Sequence, residues 1–189
     1  MLITEKWLND QNACGGGIQW WKSLNTGKPE DIFRAAQTEE EFDYCVWMVK
    51  YTFNKKQAVE FSIFCAEKVL HFWEEKYPEN DSPARAIEAA KKYLKRPCKE
   101  TKDAAKDAAN ASAAAAAAYA ASAAAAEAAV NAAGAAGAAA YAARSAIKYA
   151  ARSAYNTAVA ASGASVAAAN AVESLRQEIL EEAARIVAK

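Results

Sequence analysis

The side chains that could carry out acid–base chemistry are few and lie around the single histidine of the chain. His71 is followed by Glu74 and Glu75, at the three- and four-residue spacing that brings side chains together on a helix. This arrangement suits a general base with an orienting carboxylate, but no nucleophile or second metal ligand accompanies it. We therefore interpret His71 as a surface or hydrogen-bonded histidine. An enzyme that uses Glu74 and Asp81 as general acid and base, or as metal ligands, is kept as an alternative.

Two other patterns that can mark a site lack the residues that would complete them. Gly15-Gly16-Gly17 has neither a following Lys-Ser or Lys-Thr pair nor a preceding strand, so we predict a flexible turn and not a phosphate loop. The four cysteines include no C-x-x-C pair, which argues against a zinc site. Cys45 and Cys65 lie in apolar helical runs and are predicted to be buried. The sequence thus predicts no catalytic centre, no metal and no cofactor.

Aromatic and charged residues are the better candidates for function, through binding. Trp20 and Trp21 are adjacent, so either both are buried between two packed layers or one is an exposed interface anchor. Acidic and basic residues cluster in separate parts of the sequence. These clusters are either two solvated helix faces or, for the acidic one, a surface that binds a basic partner, such as a nuclease through its substrate groove. The acidic region is Glu30, Asp31, Glu39, Glu40, Glu41 and Asp43; the basic region is Lys91, Lys92, Lys95, Arg96, Lys99, Lys102 and Lys106.

The overall composition narrows the class of partner. Lys plus Arg and Asp plus Glu each number 23 in 189 residues, so there is no net field that would attract nucleic acid or an anionic membrane. The first ten residues do not resemble a secretory signal, which leads us to expect a cytoplasmic protein. The alanine-rich stretch is too weakly apolar to favour a membrane span. We expect neither a nucleic-acid partner nor a membrane.

Helix boundary signals recur through the first half of the chain. Pro29 is typical of a first helical turn, and Thr38 with Glu41 three residues on matches a capping box. Asn54 is the next predicted cap. The helix after it should end at Tyr77-Pro78, and a further helix should run from Pro83 to Leu94 and stop at Arg96-Pro97.

A composition break near residue 100 separates two packing regimes. Residues 1–99 hold all the tryptophans, phenylalanines and prolines, whereas residues 100–189 are rich in alanine, which has the highest helix propensity. Alanine buries little area, so its helices must pack closely, either within the chain or in a homodimer. We predict helices near 101–132, 135–161 and 164–188. The fold class is therefore all-α: a multi-helix bundle with a closely packed alanine-rich C-terminal half, the two halves forming one domain.

One segment resembles a known family. It comprises Cys65-Ala66-Glu67-Lys68-Val69-Leu70 and the run from Glu74 to Ala90, before an alanine-rich helical tail. This pattern is similar to an all-helical family of immunity proteins of bacterial polymorphic toxin systems, with relatives among phage proteins. The resemblance implies that Glu74, Asp81, Arg85 and Glu88 are signature polar residues. From the residues alone, we expect Asp81 to cap a helix and Arg85 to pair with Glu88.

These observations favour a non-enzymatic inhibitory protein, either an immunity protein or a phage-encoded antagonist, that occludes a toxin or a bacterial defence enzyme. The candidate partner-binding residues are Trp20, Trp21, Glu39, Glu40, Glu41, Asp43, Glu74, Asp81, Arg85 and Glu88. The alternatives are a self-assembling helical structural protein and, less favoured, the carboxylate enzyme or an ice-binding protein. The last has a similar alanine-rich composition, but the regular threonines of helical antifreeze proteins are missing.

Overall fold

The computed structural model describes the backbone of residues 1–120 and 166–189 and the side chains of residues 1–112 and 172–189. Within these ranges the chain forms eight helices and no strand, so the predicted all-α class is confirmed. The helices are α1 (Glu5–Asp10), α2 (Gly15–Ser23), α3 (Pro29–Ala35), α4 (Glu39–Thr52), α5 (Lys55–Lys76), α6 (Ser82–Lys95), α7 (Lys99–Ala120) and α8 (Val166–Val187).

The predicted caps of α4 and α5 are confirmed. The Thr38 hydroxyl accepts a hydrogen bond from the Glu41 backbone N–H at 3.2 Å, and the Glu41 carboxylate accepts one from the Thr38 N–H at 2.9 Å. Asn54 and Gln57 make the same reciprocal pair at the start of α5. Each box satisfies donors that the first helical turn leaves without a partner. α3 begins at Pro29, α5 ends just before Tyr77, and α6 ends just before Arg96, all as predicted.

The prediction of a flexible turn at Gly15-Gly16-Gly17 was wrong, because these three residues form the first turn of α2. The Cys14 thiol caps this turn by accepting a hydrogen bond from the Gly17 N–H at 3.4 Å. Glycine has a low intrinsic helix propensity, so the helix is favoured here by its packing against α4. α6 also begins one residue earlier than predicted, at Ser82, which makes Pro83 its second residue.

The core is built around α5, which packs against α6 on one side and α8 on another. Its Trp73 is fully buried, and the indole N–H donates a hydrogen bond to the Asn80 carbonyl at 2.6 Å, which ties the end of α5 to the following connection. Cys45 and Cys65 are buried as predicted, and burial raises the pKa of both thiols. The other large, fully buried side chains are Phe33, Phe42, Phe53 and Phe61.

α8 links the alanine-rich half to the first half of the chain by packing against α3, α4 and α5. Its apolar face is buried, and ion pairs flank that face. Arg34 on α3 pairs with Glu181 at 3.0 Å, and Arg185 pairs with Glu60 on α5 at 2.9 Å. Such exposed pairs contribute little free energy each, so the apolar contact is the main stabilising term. The buried residues of this face are Ile179, Leu180, Ala183, Ala184 and Ile186.

The connection between α3 and α4 receives hydrogen bonds from two directions. The Glu41 carboxylate accepts from the N–H of Gln37 at 2.7 Å. On α8, the buried Arg176 guanidinium donates to the Gln37 carbonyl and the Gln177 amide donates to the Ala36 carbonyl at 3.3 Å. Partial burial opposes ionisation of Glu41, but these backbone hydrogen bonds and the nearby Arg176 outweigh it and lower its pKa. We call residues 36–38 the α3–α4 corner.

In the described part of the alanine-rich half, α7 packs mainly against α6 and buries Ala105 and Ala109. α7 and α8 correspond to the first and third helices predicted there. The middle helix predicted near 135–161 lies outside the described residues, as does the predicted end of the first helix near 132. The homodimer through this half and the division at residue 99 stay predictions. None of the described helices is long and apolar enough to cross a membrane.

The first testable prediction concerns the close packing of α7. Ala105 is 1% exposed, whereas its neighbour Ala104 is exposed. Ala105→Leu should lower the free energy of unfolding by about 1–3 kcal/mol, because the larger side chain forces packed helices apart. Ala104→Leu makes the same change toward solvent and should alter it by less than about 0.5 kcal/mol. Urea unfolding followed by circular dichroism measures both; equal effects would contradict close packing at Ala105.

The second prediction concerns the charge of Glu41. Glutamine at this position keeps the capping geometry, so Glu41→Gln removes mainly the carboxylate charge. Since folding lowers the pKa of Glu41 below its ordinary value of 4.5, the wild type should exceed the variant in stability by about 1 kcal/mol at neutral pH. That advantage should be full above pH 4.5 and should be lost as the pH falls through the lower pKa of the folded state.

Guanidinium unfolding at pH 7 and pH 3 tests this pH dependence. Glu79→Gln, at an exposed position in the α5–α6 connection, is the control and should change stability little at either pH. A Glu41→Gln deficit that is the same at both pH values would show that the charge does not stabilise the corner.

Candidate functional site

A small cavity lies between α2 and α4 and is closed at one end by the connection between α1 and α2. Its volume is about 200 Å³, smaller than the roughly 300–1,000 Å³ typical of sites for whole small-molecule ligands. It therefore has room for about one side chain. We call it the α2–α4 cleft; its lining residues are Leu8, Asn12, Ala13, Cys14, Gly17, Trp20, Trp21, Asp43, Tyr44, Trp47 and Met48.

Aromatic rings that brace one another form much of the cleft wall. The rings of Trp20 and Tyr44 lie 5.9 Å apart at an angle of 40°. Trp47 is held from behind by Tyr51 at 4.8 Å and by Trp7 at 6.2 Å, the latter in an edge-to-face contact. Such contacts favour fixed ring positions, so the wall is formed before any partner arrives.

Neither prediction for the tryptophan pair describes the structure fully, because Trp20 and Trp21 are both half-buried and both line the cleft. The two side chains project about 100° apart, as consecutive residues on a helix do. They lie on either side of the cleft, so both line it. The indole N–H of Trp21 is buried and has no hydrogen-bond acceptor among the described residues. A buried donor without a partner costs free energy.

The four acidic residues of α4 have different roles. Asp43 is exposed and lines the cleft, and Glu40 accepts a hydrogen bond from the hydroxyl of Tyr44. This bond orients the phenol and raises the pKa of Tyr44 to about 12. Glu41 belongs to the capping box at the α3–α4 corner, and Glu39 is exposed at the first position of α4. The structure therefore brings Asp43 and Glu40 to the tryptophans, and gives Glu41 a structural role.

Glycine at the start of α2 permits its close approach to α4. A Cβ atom at Gly16 would collide with the hydroxyl of Tyr44, and one at Gly17 would lie 3.4 Å from the Tyr44 ring. A Cβ at Gly15 would meet nothing within 4 Å. The absence of a side chain at Gly16 is thus required for the position of the Tyr44 hydroxyl and for its bond to Glu40.

The residues implied by the family resemblance lie elsewhere, on α5 and α6, and two expectations about them were wrong. Arg85 pairs with Asp81 at 3.1 Å, and Glu88 pairs with Lys91 at 2.6 Å, so Arg85 and Glu88 do not pair with each other. Helical side chains point toward the N-terminus, which directs Arg85 back to Asp81. Glu74 is exposed near the end of α5.

The cap of α6 also differs from the expectation. Asp81 occupies the N-cap position but makes no capping hydrogen bond with its side chain. The Asn80 side-chain oxygen instead accepts from the Ser82 N–H at 3.0 Å. The Asp81 carboxylate is paired with Arg85, and the neighbouring Asn80 side chain accepts the hydrogen bond at this helix start.

The residues considered for catalysis are all exposed: His71, Glu74, Glu75 and Asp81. His71 is exposed, and its ring lies 4.0 Å from that of Phe72. Across residues 1–112 and 172–189, no group of three His, Cys, Asp or Glu side chains is placed to hold a metal ion.

Sequence reasoning missed most of the cleft, including Tyr44, Trp47 and Cys14. One signal was available: Tyr44, Trp47 and Tyr51 recur at three- and four-residue spacing on α4 and so share a face beside Asp43. No sequence pattern indicated that α2 would pack against this face, because its first three residues, Gly15-Gly16-Gly17, were interpreted as a flexible turn.

The third prediction tests the close approach of α2 and α4 with a matched pair of variants. Gly16→Ala should displace the Tyr44 hydroxyl from Glu40, and the pKa of Tyr44 should fall from about 12 toward the ordinary value of 10.0. Gly15→Ala, with open space around its new methyl group, should leave the pKa unchanged. Titration of ¹³Cζ-labelled tyrosine by NMR measures it. An unchanged Tyr44 pKa in Gly16→Ala would contradict the described contact.

Comparison with known proteins gives one positive finding. A family model described as "Imm-5 like putative immunity protein" matches residues 51–186. Comparisons with the curated proteins and with the solved structures gave no match. The matched segment runs from the last residues of α4 to the end region of α8, so the α2–α4 cleft precedes it. Because the match covers well over half of the 189 residues, the chain belongs to the Imm-5 like immunity protein family.

Proposed function

We propose that this chain is an immunity protein that binds a bacterial protein toxin and inhibits it by covering a surface that the toxin needs for activity. The observation that carries the proposal is the family match over residues 51–186. Binding and occlusion require no catalytic residues and no cofactor in the inhibitor. The alternative considered above is a phage-encoded antagonist, whose target would be a bacterial defence enzyme. Of the two targets, the family match favours the toxin.

We further propose that the toxin contacts the α2–α4 cleft. Interfaces derive most of their affinity from a few residues, among which Trp, Tyr and Arg are enriched, and the cleft groups half-buried Trp20, Trp21 and Trp47 with Tyr44. These rings are already braced, so binding need not order them. The exposed carboxylates of Glu40 and Asp43 beside them favour a basic partner surface, because complementary charge speeds association and fixes orientation.

The polar residues of α5 and α6 are less suited to be the main contact. Asp81 and Glu88 are each paired with a basic side chain of the same helix, Arg85 and Lys91. These exposed pairs contribute little free energy each, and Glu40 beside the cleft is paired as well, with the Tyr44 hydroxyl. The aromatic lining is what ranks the cleft above this group. We therefore propose that Glu74, Asp81, Arg85 and Glu88 support the local structure. The competing hypothesis, that they contact the toxin directly, is tested below.

The fourth prediction compares these two surfaces by matched charge reversals. Asp43→Lys and Glu88→Lys each change the charge of one exposed helical residue by the same amount. After a toxin has been isolated by affinity capture from the strain that encodes this chain, Asp43→Lys should weaken the complex at least about tenfold, or 1.4 kcal/mol. Glu88→Lys should change the affinity by less than about threefold. Isothermal titration calorimetry measures both.

Growth rescue provides the functional readout. Bacteria that express the toxin should grow when the wild-type chain or Glu88→Lys is co-expressed and should fail to grow, or grow poorly, with Asp43→Lys. Loss of rescue by Glu88→Lys alone would place the contact on α6 and contradict the cleft. Failure of the wild-type chain to form a stoichiometric complex with any toxin, or to restore growth, would contradict the immunity function itself.

A further inference from the structure

We propose that the α2–α4 cleft is a receptor for one arginine side chain, which the partner projects between the indole rings and whose charge is compensated by Asp43. This proposal rests on the proposed function for the identity of the partner and deepens it by naming the chemical group that the site takes. It does not follow from the family, because the cleft lies before residues 51–186.

The ring faces favour a cation over a neutral apolar group. The face of an indole or phenol ring carries partial negative charge and attracts a guanidinium or ammonium group placed over it. Trp20, Trp47 and Tyr44 contribute such rings to the cleft. Asp43 adds a carboxylate to the same lining, and no lysine or arginine is among the lining residues.

Elsewhere in the chain, lysine side chains lie over aromatic rings. Among the described residues, no lysine or arginine lies over Trp20, Tyr44 or Trp47. Three lysines lie over other rings: Lys50 over Tyr51 at 4.9 Å, Lys55 over Tyr93 at 5.2 Å and Lys68 over Phe64 at 5.1 Å.

Arginine fits the cleft better than lysine for geometric reasons. The guanidinium is planar and more weakly hydrated than an ammonium, and it stacks on aromatic faces while it hydrogen-bonds in its own plane to a carboxylate. The cleft of about 200 Å³ suits one long side chain.

The test uses small probes and does not require the toxin. N-acetyl-arginine N-methylamide is titrated into the ¹⁵N-labelled full chain, and the indole N–H signals of the five tryptophans are followed by NMR. N-acetyl-citrulline N-methylamide has nearly the same shape with a neutral urea group, and N-acetyl-norleucine N-methylamide is an apolar control. The arginine probe should shift the signals of Trp20, Trp21 and Trp47 saturably and leave that of the fully buried Trp73 unchanged.

Matched variants isolate the role of charge. Asp43→Asn should weaken binding of the arginine probe roughly threefold to tenfold, the effect expected when a cation in an aromatic site loses its carboxylate. It should not change the response to citrulline. Asp81→Asn removes an equal charge from an exposed residue outside the cleft and should leave the affinity for the arginine probe unchanged. Both substitutions are at exposed positions, so both variants should fold.

Several outcomes would overturn the proposal: equal binding of the arginine and citrulline probes, tighter binding of norleucine, no saturable shift of the cleft tryptophans, or equal effects of Asp43→Asn and Asp81→Asn. These outcomes are separable from failure of the proposed function. If the chain neutralises a toxin but the arginine probe does not bind, the arginine site is wrong and the immunity function stands. If the probe binds but no toxin is neutralised, the cation site stands and the proposed partner is wrong.

Discussion

The position of α4 depends on how the α3–α4 corner satisfies its backbone polar groups. The connection between two helices leaves backbone N–H and C=O groups without helical partners, and each of them takes a partner from elsewhere in the protein or from water. Here the Glu41 carboxylate accepts from the N–H of Gln37 and Thr38, while Arg176 and Gln177 of α8 donate to the carbonyls on the other side. The corner is therefore held by one residue of α4 and by two residues of α8 far along the chain.

Two faces of α4 have different roles. Phe42, Cys45, Val46 and Val49 are buried in the core, whereas Asp43, Tyr44 and Trp47 line the cleft. The three- and four-residue helical spacing separates the two sets. Fixing the core face at the corner thus sets the orientation of the cleft face, and α2 completes the cleft with Gly16 against the Tyr44 hydroxyl. The alanine-rich half contributes through α8, which supports the corner at a distance from the cleft.

The fold class and most helix boundaries could be predicted because they rest on local physical chemistry. Thr38 with Glu41 and Asn54 with Gln57 satisfy neighbouring backbone groups, and Pro29 fits a first helical turn. The cleft could not be predicted in the same way, because it depends on non-local packing. Sequence alone could not show that Gly15–Gly17 would become helical against α4, and it grouped Glu41 with the binding residues although a distant arginine, Arg176, helps to hold it at the corner.

The most direct test is hydrogen–deuterium exchange of the chain, free and in complex with its toxin, read by mass spectrometry over peptides that cover α2, α4, α5 and α6. Amide protection on complex formation should be greatest within residues 12–24 and 39–52, which carry the cleft. Protection confined to residues 74–92, which carry Glu74, Asp81 and Glu88, with no change in α2 or α4, would contradict binding through the α2–α4 cleft.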